Sequence, residues 1–199
     1  MSTATTMRAL VLRQHGGLNN LEVVTQYPVP SATAGHVVIR VGASSFNYHD
    51  VFTRRGMPGI SITMPMIMGL DIAGEIDELG PGVAGWAIGD RVLVDPIDRA
   101  RGGLMGETVH GGLAERCRVS APQLIRIPDR VSFEEAAALP VAYGTAYRMI
   151  LTQGHVEAEH GLRLPDYEAL RRWSVDELEA FWGSVASFFE VPFSTPPER

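Results

Sequence analysis

Four consecutive side chains, Asn47-Tyr48-His49-Asp50, bring together an amide, a phenol, an imidazole and a carboxylate. An amide orients a carbonyl or carboxamide through hydrogen bonds, and the phenol and imidazole can each donate a proton or polarise a carbonyl beside a developing enolate. A plainer reading stands next to this one. Asp50 is placed to cap a helical turn over Val51 to Arg54, and a single His next to an Asp is also what a surface or packing residue looks like. Residue types exclude several other chemistries. All 17 basic residues are Arg, so no lysine is available for a Schiff base, a Walker-type phosphate contact or adenylate transfer. The lone Cys117 rules out a disulfide framework and any Cys-rich zinc cluster, and it suits a reducing compartment.

The dinucleotide pattern G-x-G-x-x-G occurs once, as Gly80-Pro81-Gly82-Val83-Ala84-Gly85, behind a strand-like run. A working fingerprint opens a helix whose amides face a pyrophosphate. Here Trp86 to Asp90 leads into another strand-like run, Arg91 to Val94, so the stretch is read as a surface turn. The second glycine cluster, Gly102 to Gly106, has no strand–helix context and reads as a loop.

The elements that must hold these residues alternate short β-rich runs with Gly/Pro turns up to about residue 130. The runs are Ala9 to Leu12, Leu21 to Val24, Val37 to Val41, Ile72 to Leu79, Arg91 to Val94, Ala114 to Val119 and Leu124 to Ile127. That spacing predicts a mainly β fold, a sandwich or partly open barrel, rather than a doubly wound sheet. Helix signals begin with the capping box Ser132-Phe133-Glu134-Glu135 and continue over Ala142 to Thr152, with Gly154 as a stop. A second box, Ser174-Val175-Asp176-Glu177, predicts a helix to about Phe189 whose Leu178, Phe181, Trp182, Val185, Phe188 and Phe189 share an apolar face. Glycine separates the two regions: of 21, only Gly183 falls after Gly161. The division expected is residues 1–155 and a helical tail over 156–199.

The ordered landmarks of the first region are Met7 to Leu12, Gly42 to Asp50, Gly69 to Gly74, Gly89 to Val92, Gly111 to Glu115 and Leu139 to Ala146. Together they resemble the GroES-like catalytic domain of the medium-chain dehydrogenase/reductase superfamily. Where the zinc-dependent branch of that superfamily carries Cys, His and Cys on its catalytic metal, this chain has Asn47, Leu70 and Val141, and Pro96 to His110 replaces the Cys-rich lobe without a cysteine. The resemblance is therefore to the zinc-free, quinone oxidoreductase-like branch, with no zinc expected. It implies hydride reduction of a quinone, enone or related small-molecule carbonyl by NADP or NAD. It also places the Asn and Asp of an N-x-x-D element, here Asn47 and Asp50, near the nicotinamide and the cleft, and Thr145 beside the cofactor ring; Asn47 and Thr145 are the expected cofactor contacts, and Tyr48, His49 and Asp50 the candidate catalytic residues. Members of the superfamily continue into a Rossmann domain, which the remaining residues are too few to form, so cofactor binding by this chain is expected to be weak or nil.

Gly161 to Val175, with D-Y-x-x-L-x-x-W-S-V at its centre, resembles the N-terminal cap of acyl-CoA synthetases, most closely of acetoacetyl-CoA synthetase. That cap carries no catalytic residues. The two resemblances meet between about Gly154 and Gly161, as in a truncated or chimeric product, which would leave the reductase inactive alone. The tail's apolar face makes an interaction module, self-associating or docking on a partner, the alternative function, followed by an accessory cap of a ligase. The net charge of −6 and the absence of a basic run argue against nucleic acid. The most apolar stretches, Ile60 to Ile76 and Ala136 to Leu151, are broken by Pro65, Asp71, Pro140 and Arg148, so no membrane span is expected. Met1 to Thr6 is small and polar and runs straight into a strand, without a signal-like apolar core, and the chain is read as cytoplasmic.

Overall fold

The computed structural model describes residues 5–58, 61–149 and 156–188. The strands among them are β1 (Thr6–Leu12), β2 (Leu21–Pro28), β3 (His36–Ser45), β4 (Met66–Ile67), β5 (Asp71–Leu79), β6 (Arg91–Val94), β7 (Ile97–Asp98), β8 (Gly103–Leu104), β9 (Arg116–Ser120) and β10 (Leu124–Arg126). Each apolar run read from the sequence forms one of these. The helices are α1 (Tyr48–Arg55), α2 (Phe133–Ala137), α3 (Gly144–Tyr147), α4 (Val156–His160), α5 (Tyr167–Asp176) and α6 (Leu178–Phe188). The result is mainly β with short helices, in an open rather than closed barrel. No described helix is long and apolar enough to cross a membrane.

Contacts divide the chain into two units, Met1–Tyr143 and Gly144–Arg199. In the first, β1 lies between β2 and β4, and a separate antiparallel sheet runs in the order β10-β6-β5-β3-β9. Alternation along these strands turns Val37, Ile39, Ile72, Ile76, Val92 and Val94 inward, all at most 1% exposed. Each such side chain contributes about 1.5–3 kcal/mol of burial. β3 and β5 pair with Ser45 opposite Asp71 and Ser44 opposite Ile72, a register that brings two hydroxyls to the start of β5. Gly74 is required within that pairing, since a Cβ there would stand 2.2 Å from the Arg40 carbonyl oxygen.

The Ser132 cap forms as expected: its hydroxyl accepts the Glu135 N–H at 3.1 Å, and Glu135 Oε2 accepts the Ser132 N–H at 2.8 Å. α2 then buries Ala136 and Ala137 against β3 and β5, and Arg91 sits over the Phe133 ring at 4.6 Å. The helix expected over Ala142 to Thr152 is interrupted: Leu139–Tyr143 is a π-helical turn and α3 spans Gly144–Tyr147. Thr152 and Gly154 lie outside the described residues. The Gly80 to Gly85 pattern is a turn between β5 and β6, with Gly82 and Gly85 at φ of 78° and 77°.

In the second unit the box at Ser174 does not open a helix. Asp166 caps instead, its Oδ1 accepting the Ala169 N–H at 2.8 Å, and α5 runs through Ser174, whose hydroxyl donates back to the Arg171 carbonyl at 2.8 Å. The helix breaks at Glu177 before α6 begins. The single apolar face expected for the tail is divided accordingly. Phe181 turns toward Leu170 and Trp173, with its ring 5.8 Å from that of Trp173, while Leu178 and Trp182 are 55% and 58% exposed.

Candidate active site

Helix α1 begins where β3 ends, and the residue at the junction is Asn47, in extended conformation at φ −125° and ψ 161°. Its side chain does not point at solvent. The Asn47 Nδ2 group donates to Asp71 Oδ2 at 2.9 Å. Asp71 is fully buried and collects two further donors, Ser45 Oγ on Oδ2 at 2.7 Å and the Val141 N–H on Oδ1 at 3.0 Å. Its carbonyl oxygen accepts the Ser44 hydroxyl at 2.6 Å. A buried carboxylate needs such partners, and here they tie β3, β5, α1 and the π-helical turn together.

Asp50 is also buried, 5% exposed. Its Oδ2 accepts the Asn47 N–H at 2.8 Å and its Oδ1 accepts the Gly69 N–H at 3.1 Å. Gly69 sits at φ +99°, where a side chain would be strained and its Cβ would lie 2.9 Å from the Leu113 nitrogen. Burial pushes the Asp50 carboxyl above the ordinary carboxylate range, a shift that the two amide bonds and His49 oppose and Asp71 reinforces. Asp50 does not cap a turn over Val51 to Arg54: it lies inside α1, whose N-cap is Asn47, and its carboxylate closes the first turn of that helix and clamps it to the Gly69 bend.

His49 projects from the same turn to Glu107, in the loop after β8. His49 Nε2 stands 2.6 Å from Glu107 Oε2, with the two side chains 26% and 13% exposed. Donation of Nε2–H to the carboxylate leaves Nδ1 as the ring atom able to meet a substrate. Tyr48 is 81% exposed, its ring 6.1 Å from that of Phe52. Thr145 is exposed on α3, in the second unit. Asn47 and Asp50 thus share one hydrogen-bond network, completed by Asp71 and Ser45, and His49 from the same turn pairs with Glu107. Asp71, Ser45 and Glu107 are not among the site residues that the sequence singles out. A carboxylate opening an apolar run was the available signal for Asp71; Glu107, in an irregular loop, carried none.

Residues 33–129 match the alcohol dehydrogenase GroES-like domain family. The crystal structure of an NAD-dependent alcohol dehydrogenase superimposes with a TM-score of 0.69 at 35% identity, covering 75% of this chain and 48% of that one. The chain belongs to the medium-chain dehydrogenase/reductase superfamily. Among its relatives in that superfamily, the synaptic vesicle membrane protein VAT-1 homolog of Danio rerio is 34% identical over 151 residues, 76% of this chain and 29% of that protein. The quinone oxidoreductase of Lama guanicoe is 32% identical over 145 residues, 73% of this chain and 41% of that enzyme. The chain spans less than half the length of each of these three relatives.

As a medium-chain dehydrogenase/reductase domain, the chain departs from the zinc-binding pattern in its donors. Leu70 is buried and has no lone pair to offer, Val141 contributes only its backbone, and the Asn47 amide is engaged by Asp71. Among the described residues no group of three or more His, Cys, Asp or Glu side chains converges on one point. The Gly80 to Gly85 turn does not fit the pyrophosphate of a dinucleotide, because it runs toward β6 and opens no helix.

Proposed function

We propose that the first unit is the substrate-side domain of a zinc-free, NAD(P)H-dependent reductase of a quinone, enone or related conjugated carbonyl, with His49 as the proton-handling residue. The observation that carries this reading is the 2.6 Å contact between His49 and Glu107, two residues along α1 from an Asn47 already oriented by Asp71. Reducing a conjugated carbonyl requires, besides hydride, a donor for the developing enolate oxygen and a proton for the product. His49 and the exposed Tyr48 phenol are the groups suited to those tasks. Asp50 acts on them by fixing the turn that carries both. Asn47 and Thr145 are proposed as contacts to the nicotinamide on the strength of the family, with the dinucleotide held by residues other than those described.

Two titrations of the full chain test the reading. Adding cyclohexenone should shift the His49 imidazole resonances, assigned by their loss in His49→Gln; unshifted resonances at saturating ligand would overturn the proton role. Adding NADPH and following nicotinamide fluorescence should show no micromolar saturation. Tight saturation would overturn the reading that the dinucleotide is held by residues other than those described.

A second reading, self-association through α6, draws on Leu178 and Trp182, exposed and one helical turn apart. It predicts that the full chain elutes as a dimer in size-exclusion chromatography and Trp182→Ser as a monomer. Identical elution would remove it.

A further inference from the structure

A pocket of about 330 Å³ opens in the first unit between β9 and the chain leaving β2, and shares no lining residue with the Asn47–Asp71 network. Its volume falls at the small end of the roughly 300–1,000 Å³ that ligand pockets occupy. The floor is apolar: Met7, Ile67, Met105 and Val119 are all buried.

The charged groups of the wall are not equivalent. Arg116 Nε donates to Asp77 at 2.7 Å, and Arg101 donates to Ser120 and lies 3.9 Å from Asp98. Asp98, the one carboxylate in the lining, already accepts the Ala100 and Arg101 N–H groups at 3.1 Å each. Arg118 differs from the other two arginines. It is exposed on β9, the edge strand of its sheet, and no carboxylate of the described residues forms an ion pair with it.

A second donor follows from the hydrogen bonds of His110. The Ile67 N–H donates to His110 Nδ1 at 3.2 Å, which places the ring proton on Nε2. Burial, helped by the charge of Arg118, holds this imidazole below its ordinary pKa and keeps it neutral. Nε2–H then faces the Tyr27 hydroxyl oxygen at 3.3 Å, so the phenol's own hydrogen remains free to donate. An unpaired guanidinium and a free phenolic O–H above an apolar floor are complementary to an anion attached to an apolar body.

We infer that this pocket binds a small organic carboxylate bearing a single ring or short aliphatic chain, with its charge at Arg118 and the Tyr27 hydroxyl and its apolar part against Met7, Ile67 and Met105. Titration of the full chain with fluorobenzoate, followed by fluorine NMR, should show saturable binding, and fluorobenzyl alcohol, the neutral counterpart, should bind about tenfold more weakly or worse. Arg118→Gln, at an exposed position, should cost fluorobenzoate about tenfold in affinity and leave the alcohol unchanged, with a smaller loss for Tyr27→Phe. Absence of saturation, equal affinity for acid and alcohol, or undiminished binding of the acid to Arg118→Gln would overturn the assignment. None of these outcomes bears on the proton role of His49, which is read with an uncharged enone.

Discussion

At the scale of the residue, the cost of removing Asp71 is set by the donors it would leave behind. Asp71→Ala strands the Asn47 amide and the Val141 N–H, while the Ser45 hydroxyl keeps the Ala137 carbonyl as an acceptor at 3.1 Å, and each buried donor without a partner costs about 1–3 kcal/mol. Urea denaturation should show a loss of at least about 2 kcal/mol, whereas a loss within experimental error would mean that water replaces the carboxylate. Asp50 makes a prediction in pH. Its folded-state pKa is raised by burial, so its contribution to stability is fully present below the unfolded value of about 3.9 and is lost as pH rises through the folded pKa. Wild type should therefore lose stability relative to Asp50→Asn on passing from acidic to neutral pH. The opposite slope would show that its two amide hydrogen bonds dominate burial. The sequence offers two readings of Asp50, a cap for a turn over Val51 to Arg54 and, through the family resemblance, a catalytic residue. Deciding that its oxygens go to Asn47 and Gly69 needed the Gly69 bend, which lies 19 residues further along the chain.

At the scale of the element, strands were legible because a period of two survives in any strand with one buried face. β6 coincides with the run read from sequence, and β3 and β5 extend theirs only at the ends. Helix starts were legible where a single candidate cap preceded the apolar residues, as at Ser132. In the tail the spacing points to Ser174 alone, and the cap falls elsewhere. Asp166 took the cap and Ser174 became an interior residue, because a hydroxyl can satisfy itself on the carbonyl one turn back. Asp166→Ala should accordingly lower the protection of α5 amides in hydrogen exchange by about 1 kcal/mol, while Ser174→Ala should change it by less than about 0.5 kcal/mol. The reverse ranking would restore the helix boundary that the Ser-Val-Asp-Glu spacing suggested.

At the scale of the whole molecule, Cys117 is a built-in reporter of the first unit. It sits in β9 with 2% exposure, and burial pushes its thiol up to about 12. Ellman's reagent should leave it unmodified in the native state and react at the rate of unfolding. Fast labelling without denaturant would mean that the β9 edge opens locally. An unfolded thiol ionises near 8.5, so the stability associated with this group is present below about 8.5 and declines as pH rises toward the folded value. A thermal midpoint that falls over this range in wild type but not in Cys117→Ala would check the sign.

The sequence by itself determined the class of the fold, the order along the chain of its longer strands, the exclusion of lysine chemistry, disulfides and Cys-rich zinc clusters, and the cluster from Asn47 to Asp50. These depend on residue type and short-range period, which a chain displays before it folds. Tertiary structure alone decided which carboxylate each donor meets. Asp71 reaches Ser45 and Asn47 through the register of β3 against β5, and Glu107 reaches His49 across 58 residues of chain. The pocket at Arg118 likewise combines the end of β2, the edge of β9 and the loop carrying His110, segments that no local pattern connects. Such contacts are set by how strands pair and where loops land, and in a fold built from distant antiparallel pairings that information resides in the assembled sheet.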